Sequence, residues 1–123
     1  KITEVKTGES FLIDEIKVRY FTVDHGPNIS APVENLGFLL EVENQTIYFA
    51  GDMFYESGVD VSNLEIDIAL LPVGTFYTFG PQESFDFAKK FKKIGKIVCM
   101  HYEKTPETRD QFLELANQNF HAD

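Results

Sequence analysis

Two histidines and an aspartate, His25, Asp52 and His101, each close a short apolar run: IKVRYFTVDH, TIYFAGD and KIVCMH. Imidazole nitrogen and carboxylate oxygen are donors that Zn, Mn and Fe accept, so the three residues have metal-site chemistry if they converge. Residues this far apart in sequence converge only when the elements carrying them lie side by side, and runs of this length and composition read as β-strands. Neighbouring strands that all end in a ligand place those ligands on one sheet edge, and loops there leave open coordination positions for water and substrate. Asp52 has two oxygens, enough to bind one metal or to bridge two, and Gly51 permits a sharp backbone turn before it. Taken singly, each residue has a plainer reading, His25 and Gly51-Asp52 as turn residues and His101 as the approach to a helix. Their shared placement at strand ends turns three weak signals into one candidate metal set. His121 reads as a solvated tail residue and is not counted in the set.

The elements that must position these residues follow from periodicity and punctuation. In KITEVKTGESFLIDEIKVRYFTVDH, Gly8 and Asp14-Glu15 separate short β-rich runs. Ile16, Val18 and Tyr20 share one face of the third run, with Phe21 and Val23 on the other. GPNISAPVEN is a polar loop. LGFLLEV and QTIYFAG, split by Glu43-Asn44, predict a hairpin. After Asp52, MFYESGVDVSNLE is loop with room for one helical turn. IDIALLP is continuously apolar and closes on Pro72, as a buried central strand does. VGTFYTFG is an irregular loop rich in aromatics, with Gly74 and Gly80 flanking it as hinges. From Pro81 a helix is expected, with Phe85, Ala88, Phe91 and Ile94 on one apolar face and Gly95 as its stop. KIVCM is the last strand. Thr105 as N-cap and Pro106 at the first helical position begin a second helix, striped by Phe112, Leu113, Ala116 and Phe120. Several strands followed by β-α-β-α make an α/β chain with a mixed sheet.

Composition narrows the partners. The chain has 123 residues, one domain's worth at most, and its apolar fraction of 43% with 12 Phe is that of a globular protein. With 20 acidic against 11 basic residues the net charge is -9, which repels phosphate backbones and argues against a general nucleic-acid binder. The cluster Lys89, Lys90, Lys92, Lys93 and Lys96 reads as a solvated helix face leading into a strand. Cys99 is the only cysteine, which excludes an internal disulfide framework and fits a reducing, cytoplasmic location. Within IVCM it reads as a buried, inert thiol. No run approaches the roughly 18 apolar residues of a membrane span. The expected partner is a small-molecule substrate, with neither nucleic acid nor membrane. Aromatics inside strands belong to the core, whereas Thr75, Phe76, Tyr77 and Phe79 lie in a loop and are expected to line a substrate cleft. No G-x-G-x-x-G, P-loop or G-x-S-x-G supports nucleotide cradling or serine chemistry. The chain opens on Lys1 and runs straight into KITEV, as a piece of a longer protein would.

VRYFTVDHG, NLGFLLEVENQTIYFAGD, DIALLPVGTFYTFGPQESFDFA and KIVCMHYEKTPE, in that order, cover nearly the whole chain. In these stretches it resembles the C-terminal half of metallo-β-lactamase superfamily hydrolases, in particular the small bacterial and archaeal metal-dependent hydrolases related to ascorbate-phosphate lactonases. The resemblance implies half of a four-layer αββα sandwich. It implies His25 as the family's third-motif histidine, Asp52 as the catalytic carboxylate bridging two metals, and His101 as the final histidine ligand. The implied cofactor is a divalent metal, two Zn or Mn or Fe in their place. The implied reaction is attack of metal-activated water on an ester, lactone or phosphoester.

One departure is large: the family's His-x-His-x-Asp-His is absent. Residues 1–123 therefore read as the C-terminal part of such a domain with its N-terminal half missing. Alone, this part is expected to bind metal weakly and to hydrolyse nothing efficiently. Half a sandwich leaves an apolar sheet face, so a homo-oligomer or association with the missing half is expected. The rival readings are a non-catalytic binding or assembly module that keeps the fold, a nuclease, which the negative charge disfavours, and an iron-dependent oxidoreductase.

Overall fold

The computed structural model describes residue 4 and residues 8–23, 35–53, 60–75 and 77–123. Tight turns link the first strands. β1 (Ser10–Ile13) turns through Asp14-Glu15 into β2 (Ile16–Val23), with Ile13 opposite Ile16. β3 (Asn35–Val42) pairs antiparallel with β2 and turns into β4 (Gln45–Phe49) through Glu43 and Asn44. Those two residues have φ of 48° and 65°. Two successive left-handed residues match the twist of the flanking strands, which is how the predicted hairpin closes in two residues.

After the hairpin come β5 (Glu65–Pro72), α1 (Pro81–Ala88), β6 (Lys93–Met100) and α2 (Pro106–Ala116). β5 lies parallel to both β4 and β6, giving one six-stranded mixed sheet in the order β1-β2-β3-β4-β5-β6. The α/β class and the element order expected from the sequence are those observed. Because β2 and β4 are both antiparallel to β3, strands β2, β4, β5 and β6 all run toward the same sheet edge. That edge is where β4 and β6 lead into Asp52 and His101.

One face of the sheet holds the main core. Tyr48, Ala69, Leu71, Ile97 and Cys99 pack with Phe87, Phe91, Phe112 and Ala116 from and beside the helices. The Tyr48 ring meets Phe91 and Phe87 at centroid distances of 5.1 and 6.1 Å. Its hydroxyl is buried with no hydrogen-bond partner among the described residues. The opposite face is also apolar. Phe38, Leu40, Ile47, Phe49, Ile68, Leu70 and Val98 are half-buried and aligned by the strand register. Rings continue this face toward β1, with Phe38 stepping to Tyr20 at 5.2 Å and Tyr20 to Phe11 at 5.1 Å. An apolar surface on both sides is the pattern of a sheet meant to be covered twice.

Beyond α2 the chain returns to the sheet. His121 and Asp123 exchange backbone hydrogen bonds with Ile97 and Cys99, so the segment pairs along the outer edge of β6. His121 is exposed, but its carbonyl is tied down by Ile97 N–H at 2.8 Å.

Two expectations about α1 are corrected. The helix ends at Ala88, its buried face is Ser84, Phe87 and Ala88, and Phe85 is only half-buried. Phe91 reaches the core from the turn after the helix, while Ile94 and Gly95 belong to β6, because the Lys92 and Lys93 N–H groups already bond the Leu64 carbonyl and start the pairing with β5. Gly95 is required by closeness, not as a stop: a Cβ there would lie 2.7 Å from the Asp67 carbonyl oxygen. The lysine cluster spreads over helix end, turn and strand, with Lys89, Lys92 and Lys96 paired to Asp86, Glu65 and Asp123. Among the described residues no helix is long and apolar enough to cross a membrane.

Candidate metal centre

Asp52 is delivered by the end of β4. Ala50 N–H still bonds the Leu70 carbonyl at 3.1 Å, holding the chain against β5. Gly51 then adopts φ of 66° and turns it, so that Asp52 projects at the edge while Met53 returns to the core. His101 follows Met100 directly at the end of β6 and takes φ of 61°. The two side chains, both partly exposed, meet across the intervening β5 end, His101 Nε2 against Asp52 Oδ1. The strand-end rule thus brings together two of the three predicted ligands. His25, two residues past the end of β2, lies outside the described residues.

The loop after β5 interlocks with both neighbours. Val73 N–H bonds the Met100 carbonyl at 3.0 Å, and Phe79 N–H bonds the Met53 carbonyl at 2.7 Å. Six described non-glycine residues have positive φ, and Asp14, Glu43 and Asn44 are accounted for by hairpin turns. The other three, Thr75 at 69°, Tyr77 at 59° and His101 at 61°, all lie in the loops that follow β5 and β6 at this edge. Each costs on the order of 1 kcal/mol or more, and backbone held in such conformations concentrates at functional sites.

The loop expected to line a cleft divides. Thr75 and Tyr77 are exposed, and Phe76 lies outside the described residues. Phe79 is corrected: it is 5% exposed and its ring packs on Phe87 at 5.9 Å, because the Phe79–Met53 bond folds the loop end back onto the core. Gly74 and Gly80 are packing positions, not hinges. A Cβ on Gly74 would run into the His101 carbonyl, and one on Gly80 would lie 2.9 Å from Thr75 Oγ1 and from Glu83 Oε2. Thr75 borders a cleft of about 490 Å³ with the start of α1, with Gln111 and Glu114 of α2 and with Gln118 just after it, but neither Asp52 nor His101 lines it. Cys99 is buried as expected, and burial pushes its thiol from 9.0 up to about 11, the wrong direction for a nucleophile.

The contact between two residues of this edge, Thr105 and Gly74, has no signal in the sequence. Thr105 occupies the N-cap position of α2 as expected, but its hydroxyl makes no cap bond. It donates instead to the Gly74 carbonyl at 2.7 Å. Nothing in the pattern Thr-Pro or in an isolated glycine announces that pairing.

As donors, Asp52 and His101 fit a divalent metal of the Zn, Mn or Fe type, one carboxylate oxygen and one imidazole nitrogen in mutual reach. No third His, Cys, Asp or Glu among the described residues joins them to make a metal-holding group. Four ligands close a tetrahedral site, so these two alone would not complete one.

A mixed sheet with helices on one face, and an aspartate and a histidine meeting at the ends of its parallel strands, defines an α/β protein with a polar pair at one sheet edge. Residues 1–98 match the beta-lactamase superfamily domain, and the chain belongs to that family. It is 31% identical over 110 residues to a protein of Korarchaeum cryptofilum named as a UPF0173 metal-dependent hydrolase, covering 88% of this chain and 48% of that one. The chain thus spans about half the length of the curated relatives it matches. Its fold is shared with Igni18, a metallo hydrolase of the archaeon Ignicoccus hospitalis, at a TM-score of 0.74 and 18% identity over 98% of this chain and 56% of that one. It is shared equally with CmlA of Streptomyces venezuelae, a diiron beta-hydroxylase, at a TM-score of 0.71 and 9% identity over 98% of this chain and 32% of that one. The fold is that of the metallo-β-lactamases, and it hosts more than one chemistry.

Proposed function

We propose that this chain is the ligand-bearing C-terminal part of a metal-dependent hydrolase that cleaves an ester, lactone or phosphoester in a small molecule. The observation that carries the proposal is the meeting of Asp52 and His101 at the ends of two parallel strands, in loops with left-handed backbone. The kinship with proteins named metal-dependent hydrolases supports the reaction class. A bound divalent metal, two zinc ions in the complete protein, would polarise the scissile bond and lower the pKa of water beside it. Asp52, His101 and His25 would hold it. Asp52 and His101 already hold each other in register, so little side-chain freedom is left to lose on binding. Thr75 and Tyr77, exposed in the loop after β5 at the same sheet edge, would contact substrate.

Two donors from the described residues do not close a centre, and the relatives are about twice as long. The remaining ligands are therefore assigned to the half of the fold that this chain does not span. That half would also cover the apolar face of Phe38, Phe49 and Leu70. The test is calorimetric titration of this chain with zinc, beside Asp52→Asn and His101→Ala. Weak binding that each substitution lowers further is expected, with no turnover of ester or lactone substrates. Unchanged binding in both variants would refute the ligand assignment, and tight stoichiometric zinc with turnover would refute the division of the site.

A further inference from the structure

The loop after β5 contributes no metal donor among its described residues, yet it touches both ligand-bearing loops. Gly74 lies flat against the backbone of His101: a Cβ in its place would overlap the His101 carbonyl oxygen and lie 2.8 Å from its carbon. The Gly74 carbonyl in turn accepts the Thr105 hydroxyl at 2.7 Å. Thr105 N–H bonds the Tyr102 carbonyl at 3.0 Å, so the turn His101–Thr105 is closed at its far end. The Thr105 carbonyl receives the Thr108 hydroxyl at 2.7 Å and the Thr108 N–H at 3.0 Å, anchoring the same turn to α2. His101 thus sits in a left-handed conformation, unfavourable for its residue type, between a glycine that abuts its carbonyl and a threonine that pins that glycine.

From this arrangement we infer that Gly74 and Thr105 are positioning residues for His101: the Thr105–Gly74 clasp sets where the imidazole meets Asp52. Threonine at the head of α2 spends its hydroxyl on this clasp and leaves the helix without a side-chain cap. Forgoing a side-chain cap leaves an N–H of the first turn without that partner, and the compensation is a fixed His101. The weight of the inference for catalysis rests on the metal-ligand proposal above, but the placement of the imidazole does not depend on it.

The experiment compares this chain with Thr105→Val, Thr105→Ser, Gly74→Ala, Ser84→Ala and Asp52→Ala, metal-free, by the ring-nitrogen NMR shifts of His101. Asp52→Ala, which removes the acceptor facing the ring, supplies the reference for a released imidazole. Ser84→Ala controls for stability, since it removes a buried hydroxyl bond to the Pro72 carbonyl from the same strand end without touching His101. Wild type, Thr105→Ser and Ser84→Ala are expected to show one set of shifts, that of a ring engaged by Asp52, and Thr105→Val to move to the released set. Gly74→Ala should do the same if it folds; Thr105→Val decides if it does not. A wild-type pattern in Thr105→Val, or a released pattern in Ser84→Ala, would overturn the inference. Cobalt titration of the same samples should show affinity falling about tenfold or more in Thr105→Val and recovering in Thr105→Ser, as for groups that orient metal ligands. No cobalt binding even in the wild type would refute the metal proposal while the nitrogen shifts still decide the placement.

Discussion

Tyr48 offers a measurable test of how the core is built. Its side chain is fully buried, clasped by Phe91, Phe87 and Phe21, and its hydroxyl has no partner among the described residues. An unpaired buried hydroxyl costs about 1–3 kcal/mol of desolvation. Tyr48→Phe removes that cost and keeps every ring contact. The void left by one oxygen, roughly 10–15 Å³ at about 24 cal/mol per Å³, returns about 0.3 kcal/mol of it. The net expectation is a gain of about 1–2 kcal/mol, or roughly 3–10 °C in Tm for a chain of this length. Urea and thermal unfolding followed by circular dichroism read it directly. Tyr48→Ala, which loses the ring, should cost about 3–5 kcal/mol and shows that the assay senses the site. Burial also pushes the Tyr48 phenol well above its ordinary 10.0. Above about pH 10 the unfolded chain loses this proton and the folded chain keeps it, so stability falls as pH rises. Tyr48→Phe should flatten that fall. A loss of 1 kcal/mol or more in Tyr48→Phe at neutral pH would mean that the hydroxyl is bonded, and would refute the reasoning.

Cys99 gives a second alkaline signature: its folded pKa of about 11 against 9.0 means stability complete below pH 9 and declining toward pH 11. Cys99→Ala should remove that part of the decline in urea midpoints measured across the window, and a thiol alkylated at neutral pH without unfolding would contradict its burial. The apolar face opposite the helices should drive association, of two copies or with the other half of the fold. Light scattering should find this chain larger than a monomer at moderate concentration, and Leu70→Glu should return it to one; a monomeric wild type would count against the covered-face proposal.

What could be read from the residues is uneven for physical reasons. Glu43-Asn44 was legible because two left-handed residues between alternating runs have few alternatives. Asp52 and His101 were legible because strand direction alone carries them to one edge, whatever the loops do. The end of α1 was not, since Phe91 stays buried after the helix has stopped and so continues a helical spacing without a helix. Gly95 misled in the same way: a glycine needed for backbone approach to Asp67 looks the same in sequence as one that ends a helix. Loop aromatics commonly line clefts, but one backbone bond to Met53 turns Phe79 into the core instead. The Thr105–Gly74 clasp joins residues far apart in sequence through a carbonyl, a group every residue has, and so leaves no mark in side-chain pattern.

The return of His121–Asp123 to β6 makes the sheet asymmetric in its borders. The β6 border has Ile97 and Cys99 already engaged by the chain's own backbone, with Lys96 paired to Asp123 on the flank. Among the described residues the β1 border has no such strap and displays Leu12 and Ile13 at 70% and 52% exposure. Strand addition from a foreign peptide or a second molecule is therefore expected at this rim rather than at β6. Deleting the last three residues would open the other rim and convert a one-sided template into one that can propagate in both directions.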